Sequence, residues 1–163
     1  MANYNYEICI IGAGAGGLSV AAGACQFGIK VALIEGHNMG GDCLNYGCVP
    51  SKALLSSAKH YNAISESSKF GFSASAEPVN IAEVMAKVQE VIAQIAPHDS
   101  VERFTGLGAT VYRGYGSFVD EQSVKVNDDI ISAKYFIIAT GSSPVVHPIP
   151  GLNEVSYLTN ETI

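Results

Sequence analysis

Two groups of residues near the N-terminus have types and spacings that could support chemistry. The run GAGAGG at 12–17 fits the pattern G-x-G-x-x-G, and the run CLNYGC at 43–48 places two cysteines five positions apart. The glycine pattern is typical of turns that bind the pyrophosphate of a dinucleotide. The cysteines could be a catalytic redox pair, metal ligands or buried thiols. The elements around each group decide between these chemistries.

The glycine run has the neighbours that dinucleotide binding requires, since it follows a predicted strand and opens a predicted helix. Tyr6–Ile11 is nearly all apolar, which predicts a parallel strand buried on both faces. Leu18–Phe27 predicts a helix of small residues, with Gly28 as its end signal. Lys30–Glu35 predicts the next strand and completes one β-α-β unit.

Each glycine of the pattern has a physical purpose. Gly12 permits the tight turn, Gly14 lets a pyrophosphate approach the backbone, and Gly17 lets the helix and strand pack closely. The N-terminus of the helix supplies unpaired N–H groups for a phosphate. Glu35 ends the second strand, where it can accept hydrogen bonds from a ribose 2′-hydroxyl and would repel a 2′-phosphate. A glycine-rich turn that binds nothing is the alternative.

The spacing of the two cysteines predicts a bend in the chain. Residues five apart on an ideal helix point about 140° apart, so a disulfide between Cys43 and Cys48 needs a non-helical bend, which Gly47 allows. Pro50 suits the first turn of a helix that follows. Cys48 would then lie at a helix N-terminus near Lys52, and both features favour its thiolate. No metal site is predicted, because there is no second cysteine pair. Two buried bystander thiols are the alternative.

The remaining elements are predicted from hydrophobic periodicity and turn residues. Cys9 lies in the first strand and Cys25 on the first helix, so both are expected to be core thiols. Downstream, the sequence predicts a helical run through about residue 63, a loop over 65–78 and a second helical segment over 81–104, which Pro97 kinks or breaks. A strand over 110–115 and short antiparallel strands over 116–133, around a turn at 127–129, are expected to follow. The last predicted element is a buried parallel strand over 135–139.

Composition excludes several classes of protein. The 163 residues are 48% hydrophobic and 15% charged, which excludes a disordered chain. The net charge of −6, with no basic block, argues against binding nucleic acid. Residues 8–29 carry no charge, but six glycines in that span favour a glycine turn over a membrane helix. The N-terminus has no basic segment typical of a secretory signal, so we expect a cytoplasmic protein.

The run GGDCLNYGCVPSKAL at 40–54 resembles the active-site signature of the class I pyridine nucleotide–disulfide oxidoreductases. The Ser-Lys pair after the proline is similar to dihydrolipoamide dehydrogenases and mercuric reductases. The glycine pattern, Glu35, the Gly-Tyr-Gly turn at 114–116 and the Ala-Thr-Gly run at 139–141 agree in order, so the resemblance covers essentially the whole chain. It implies an α/β fold, a Rossmann-like three-layer FAD/NAD(P)-binding domain with a parallel sheet and a small antiparallel meander near 116–133.

The resemblance also implies a cofactor and a role for each site residue. Cys48 would be the thiolate that faces the flavin, and Cys43 would be the interchange thiol that reacts with a substrate disulfide or dithiol. Lys52 would lie near the reactive edge of the flavin and tune it electrostatically. The residues expected to bind FAD are Gly12, Gly14, Gly17, Glu35, Gly41, Lys52, Gly116, Thr140 and Gly141.

The implied activity is that of an FAD-dependent dithiol/disulfide oxidoreductase similar to dihydrolipoamide dehydrogenase, with NAD(P) as second substrate. A mercuric reductase-like enzyme and a non-catalytic FAD-binding fragment are the alternatives. Asp42 stands where Thr is commoner in lipoamide dehydrogenases, and with Tyr46 and Val49 it looks closer to mercuric reductase-like members.

The resemblance further implies that the chain is the first part of a longer, homodimeric protein. Residues 1–150 would be the N-terminal portion of an FAD domain that includes the redox-disulfide helix. Residues 151–163 would begin a linker into an NAD(P)-binding domain. No second G-x-G-x-x-G follows, so this chain alone is expected to be inactive.

Overall fold

The fold is built on one mixed sheet of six strands. The structure is a computed structural model that describes residues 4–163. The strand order is β3-β2-β1-β6-β5-β4, in which β1 pairs in parallel with β2 and β6, β2 pairs in parallel with β3, and β5 pairs antiparallel with β4 and β6. The strands are β1 Tyr6–Ile11, β2 Val31–Glu35, β3 Thr110–Arg113, β4 Gly116–Asp120, β5 Ser123–Val126 and β6 Asp129–Ile138.

Strand β6 joins the parallel and antiparallel parts of the sheet. Its register with β1 is parallel, with Tyr6 opposite Ala133, and its register with β5 is antiparallel, with Ser123 opposite Ser132. The sequence predicts a meander that ends at 133 and a separate strand that begins at 135. This prediction was wrong, because residues 129–138 form one continuous strand. No glycine, proline or asparagine interrupts 129–138, so nothing ends the strand between its two pairings.

The helices are α1 Ala15–Gln26, α2 Gly41–Asn45, α3 Cys48–Ser65, α4 Ile81–Ile95 and α5 Val101–Gly106. Helix α1 begins earlier than predicted because Gly14 takes the N-cap position. The predicted break at Pro97 is confirmed, since a 3-10 helix, Ala96–Asp99, separates α4 from α5. None of the helices among residues 4–163 is long and apolar enough to cross a membrane.

Two apolar cores lie on opposite faces of the parallel strands, which confirms the three-layer arrangement. Ile10 of β1 packs in the core beneath α1, with Leu18 and Ala21. Cys9 of the same strand packs in the other core, with residues of β5 and β6 such as Val124. The predicted core position of Cys9 is confirmed, and burial raises the pKa of its thiol to about 11.

The contact between α1 and β1 depends on the missing side chain of Gly17. A Cβ at this position would overlap the carbonyl oxygen of Gly12 and approach the Ile10 side chain. One residue earlier, a Cβ on Gly16 would meet no heavy atom within 4 Å. Both glycines lie in α1, so they differ in the space around them rather than in their secondary structure.

Replacing Gly17 with alanine should therefore lower the free energy of unfolding by about 3 kcal/mol, because the added methyl group has no room. Gly16→Ala is the matched control. It should leave stability unchanged or raise it by about 0.5–1 kcal/mol, since alanine favours a helix over glycine. Urea unfolding followed by circular dichroism measures both variants, and equal losses of stability would refute the packing argument.

Candidate functional site

A groove opens at the carboxyl ends of the parallel strands, next to the point where the strand order reverses between β1 and β6. Open α/β sheets bind ligands at such a point. The groove has a volume of about 280 Å³. Much of its wall is main chain, because seven of the residues that line it are glycines: Gly12, Gly14, Gly36, Gly41, Gly114, Gly116 and Gly141.

The N-terminus of α1 meets this groove without a side-chain cap. The first hydrogen bond of the helix runs from the N–H of Leu18 to the carbonyl of Gly14 at 2.9 Å. The N–H groups of the preceding helical residues have no acceptor within the helix. Gly14 offers no capping side chain, and the first turn carries no acidic residue. This end of the helix is therefore suited to an anionic group such as a phosphate.

The loop before the cysteines packs directly on the glycine turn. The N–H of Gly40 donates to the carbonyl of Ala13 at 2.9 Å. Gly41 has a φ of 55°, and a Cβ on it would lie 2.6 Å from the Cα of Gly14. The two motifs that the sequence singled out are thus joined through their backbones. Sequence reasoning did not anticipate this contact.

Glu35 forms part of the groove wall at the end of β2. Its side chain is buried, and the residue is only 9% exposed. Its Oε2 accepts a hydrogen bond from the N–H of Ala13, and its Oε1 accepts one from the N–H of His37, each at 2.6 Å. A carboxylate has about four lone-pair sites, so the anchored group can still accept hydrogen bonds from a ligand in the groove.

At the other end of the groove, aromatic side chains line the wall. The ring of Tyr115 lies so close to Gly36 that a Cβ there would be 2.8 Å from it. The ring of His37 meets Tyr115 edge to face, with the centroids 5.9 Å apart. Arg113 donates to the carbonyl of His37 and holds the loop in place. His37 was not among the predicted site residues, although it follows Glu35 by two positions and lines the same groove.

The segment after β6 closes the third side of the groove. The N–H of Ala139 donates to the carbonyl of Ile11 at 2.8 Å, which extends the pairing of β6 with β1. Gly12, with a φ of 105°, packs so closely on this segment that a Cβ there would overlap the carbonyl oxygen of Ala139. Thr140 and Gly141 then line the groove beside it.

The structure gathers most, but not all, of the predicted site residues in the groove. Gly17 lies in the helix–strand contact instead. Cys43, Cys48 and Lys52 lie beyond the groove on α2 and α3. The predicted residues that line the groove are Gly12, Gly14, Glu35, Gly41, Gly116, Thr140 and Gly141. Among residues 4–163, no three His, Cys, Asp or Glu side chains come together as a metal site.

The predicted bend between the cysteines is confirmed. Helix α2 ends at Asn45, and the N–H groups of Tyr46 and Gly47 both donate to the carbonyl of Asp42, at 2.9 and 2.6 Å. A Cβ on Gly47 would lie 2.6 Å from the Asp42 carboxylate, so a larger residue there would have to displace the Asp42 side chain. Cys43 is half-buried on α2, and Cys48 is exposed at the first residue of α3.

The two thiols interact with each other. The pKa of the Cys43 thiol is raised, chiefly by its side-chain hydrogen bond with Cys48 and next by burial. The positive charge of Lys52, one turn along α3, acts in the opposite direction and lowers this pKa. The hydrogen bond with Cys48 and burial thus outweigh the charge of Lys52, and the pKa of Cys43 stays above its ordinary value.

Replacing Cys48 with alanine should lower the pKa of Cys43, because the hydrogen bond that holds its proton is lost. Lys52→Gln should raise the pKa, because a nearby positive charge is lost. The measurement is the rate of Cys43 alkylation against pH, read by mass spectrometry of its peptide. The rise in rate should move to lower pH in the first variant and to higher pH in the second.

Cys25→Ala is the control for this experiment, because Cys25 lies on α1 and takes no part in the pair. It should leave the alkylation profile of Cys43 unchanged. A profile that stays the same in Cys48→Ala would contradict the hydrogen bond between the thiols.

Comparison with known proteins agrees with this geometry. The chain is 37% identical over 157 residues to a mercuric reductase of Staphylococcus aureus, covering 96% of this chain and 28% of the relative. It is 41% identical over 150 residues to a dihydrolipoyl dehydrogenase of Acholeplasma laidlawii, covering 91% of this chain and 44% of the relative. The chain thus spans less than half the length of these relatives.

A solved structure, the HOCl-induced flavoprotein disulfide reductase RclA from Escherichia coli, superposes with a TM-score of 0.73. Its sequence identity is 28%, and the match covers 91% of this chain and 31% of that one. The family model described as pyridine nucleotide-disulphide oxidoreductase matches residues 6–163. Because this match spans almost all of the sequence, the chain belongs to the pyridine nucleotide-disulphide oxidoreductase family.

Proposed function

We propose that this chain is the FAD-binding and cysteine-bearing part of a dithiol/disulfide oxidoreductase that uses NAD(P) as second substrate in a longer protein. The observation that carries the proposal is the backbone contact of Gly14 with Gly41, because it fixes a dinucleotide-type groove beside a cysteine pair. Residues 1–150 would form the N-terminal portion of the FAD domain, and 151–163 would lead into the NAD(P)-binding part.

The residues of the groove fit FAD. The uncapped N-terminus of α1 and the bare backbone at Gly12 and Gly14 suit the pyrophosphate. The Glu35 carboxylate suits the hydroxyls of a ribose, and the wall at Tyr115 suits a planar base beside Gly116. The segment with Thr140 and Gly141, together with Gly41 and Lys52, would face the remaining part of the cofactor. When bound, FAD would supply the two-electron chemistry of the flavin ring.

The two thiols would have different roles in thiol–disulfide exchange. Cys43, whose pKa is raised, would act as the interchange thiol once a base removes its proton. Cys48, at the N-terminus of α3, would hold the thiolate next to the flavin. Lys52 would act electrostatically, since its charge favours the ionised form of Cys43.

The names of the relatives suggest two substrates for the longer protein. Dihydrolipoamide is the first candidate, in line with the dihydrolipoyl dehydrogenase that is 41% identical. Mercuric ion is the second, favoured by the mercuric reductases among the relatives and by the affinity of soft metal ions for paired thiolates. We further propose a cytoplasmic homodimer that has no nucleic-acid or membrane partner. Assays of the longer protein with NAD(P) and each substrate would separate the two.

FAD binding by the chain can be tested through Glu35. Glu35→Gln should weaken the binding of FAD by about tenfold, because a charged acceptor for the ribose is replaced by a neutral amide. Glu7→Gln is the matched control, since Glu7 also accepts a backbone hydrogen bond, from the N–H of Lys30 at 3.2 Å, but lies outside the groove. Quenching of flavin fluorescence on titration measures each affinity.

Glu7→Gln should bind FAD as the native chain does, and ADP should compete in both. If the native chain bound neither FAD nor ADP, the proposed cofactor site would be refuted.

The roles of the thiols can be separated in the FAD-loaded longer protein. Cys48→Ser should abolish the long-wavelength absorbance that a thiolate in contact with oxidised flavin produces on reduction. Cys43→Ser should retain this absorbance and lose exchange with added disulfide. Visible spectra after reduction measure the absorbance, and thiol-exchange assays measure the reaction with added disulfide. The opposite pattern would show that the two roles are reversed.

A further inference from the structure

The loop between β5 and β6 has an unusual backbone conformation. Val126 pairs with Asp129, so the two strands are joined by two residues, Asn127 and Asp128. Asn127 has a φ of 53°, and within residues 4–163 it is the one residue other than glycine with a positive φ. Two-residue hairpin loops favour a positive φ at their first position, and glycine or asparagine tolerates it. Of these two residues, only asparagine adds a side-chain amide.

The amide of Asn127 joins this loop to the turn between β3 and β4. Its Nδ2 donates to the carbonyl of Arg113 at 2.9 Å. A Cβ on Gly114 would lie 2.9 Å from Oδ1 of Asn127 and 3.0 Å from its Nδ2, so the amide packs against the Cα of Gly114. The N–H of Gly114 in turn donates to the carbonyl of Glu35 at 2.9 Å. Asn127 is thus connected to the end of β2 through the backbone of this turn.

The same turn carries Tyr115, the aromatic side chain of the groove wall. Tyr115 is 70% exposed, so most of its ring is free to contact a ligand. The ring packs on Gly36 and meets the ring of His37 edge to face, both in the loop after β2. Arg113 donates to the carbonyl of His37 and links the same two segments. The orientation of the Tyr115 ring therefore depends on how the backbone of its own turn is held.

The sheet places Asn127 beside this turn. Gly116 pairs with Val126 in the antiparallel ladder of β4 and β5, so Tyr115 and Asn127 are the residues that flank this pair at the end of the ladder. Tyr115 lines the groove, whereas Asn127 is not part of its wall. Asn127 would therefore act on a ligand through the turn and not by contact.

We propose that Asn127 is a positioning residue that holds Tyr115 in the orientation in which its ring packs on the base of a bound nucleotide, an inference that rests on the proposed FAD site. The hydrogen bond to Arg113 and the packing on Gly114 fix the backbone before Tyr115, and the ladder pairing of Gly116 fixes the backbone after it. A wall that is already ordered loses less conformational freedom when the ligand binds, which strengthens binding.

Asn127→Gly tests this role without disturbing the loop, because glycine adopts a positive φ readily. ADP and inorganic pyrophosphate are the probes, and isothermal titration calorimetry of the native chain and its variants measures each affinity. Asn127→Gly should weaken the binding of ADP by about fivefold, a part of what a base stacked on an aromatic ring contributes. The affinity for pyrophosphate should not change, because this anion would bind at the N-terminus of α1.

The midpoint of urea unfolding distinguishes positioning from a purely structural role. It should change little in Asn127→Gly, because the relief of the positive φ offsets the lost hydrogen bond. Tyr115→Ala shows whether the effect passes through the ring. This variant should weaken the binding of ADP by about tenfold, and Asn127→Gly added to it should cause no further loss.

Asp128→Asn is the matched control, because Asp128 is the other residue of the same loop. It should leave both affinities unchanged. An unchanged affinity for ADP in Asn127→Gly, an equal loss for ADP and pyrophosphate, or a further loss in the Tyr115→Ala background would each overturn the positioning role. If the native chain bound neither ADP nor pyrophosphate, the cofactor site of the proposed function would itself fail.

Discussion

The backbone of the glycine turn touches the backbone of the loop before the cysteines, where Gly14 meets Gly41. A Cβ on Gly41 would lie 2.6 Å from the Cα of Gly14, and the N–H of Gly40 donates to the carbonyl of Ala13. Main-chain atoms make this contact, so its geometry does not depend on side-chain rotamers. The distance from the N-terminus of α1 to the cysteine bend is therefore set by the fold. Chemistry that joins a bound cofactor to a thiol needs such rigidity.

The sheet also fixes the position of the glycine turn. Because β6 pairs with β1 in parallel and with β5 antiparallel, the chain segment after β6 returns to the carboxyl end of β1. There Gly12 packs on the carbonyl of Ala139 without room for a side chain. The glycine turn is thus enclosed by the loop before the cysteines on one side and by the segment after β6 on the other. The carboxylate of Glu35 accepts a hydrogen bond from the N–H of Ala13 in the same turn.

The sequence was sufficient to predict those elements that a few adjacent residues specify. The bend at Gly47, the break at Pro97 and the strand Tyr6–Ile11 each follow from dihedral preference or continuous apolarity, and each was predicted correctly. The extent of β6 was not predicted, because its two pairings involve strands distant in sequence. The docking of Gly41 on Gly14 was missed for the same reason. His37 lies only two positions after Glu35, but its contacts with Arg113 and Tyr115 come from distant parts of the sequence. A short window of sequence does not indicate which backbone segments contact each other in the fold.

The cysteine bend also lies between two separate spaces. On one side, Asp42 and Tyr46 line the groove at which a large cofactor would bind. On the other side, Cys43 lines a separate cavity between α1 and the segment of α5, whose wall also includes Asp99 and Arg103. The hydrogen bond with Cys48 and burial raise the pKa of Cys43, so a base that accepts its proton would favour the thiolate that disulfide exchange requires.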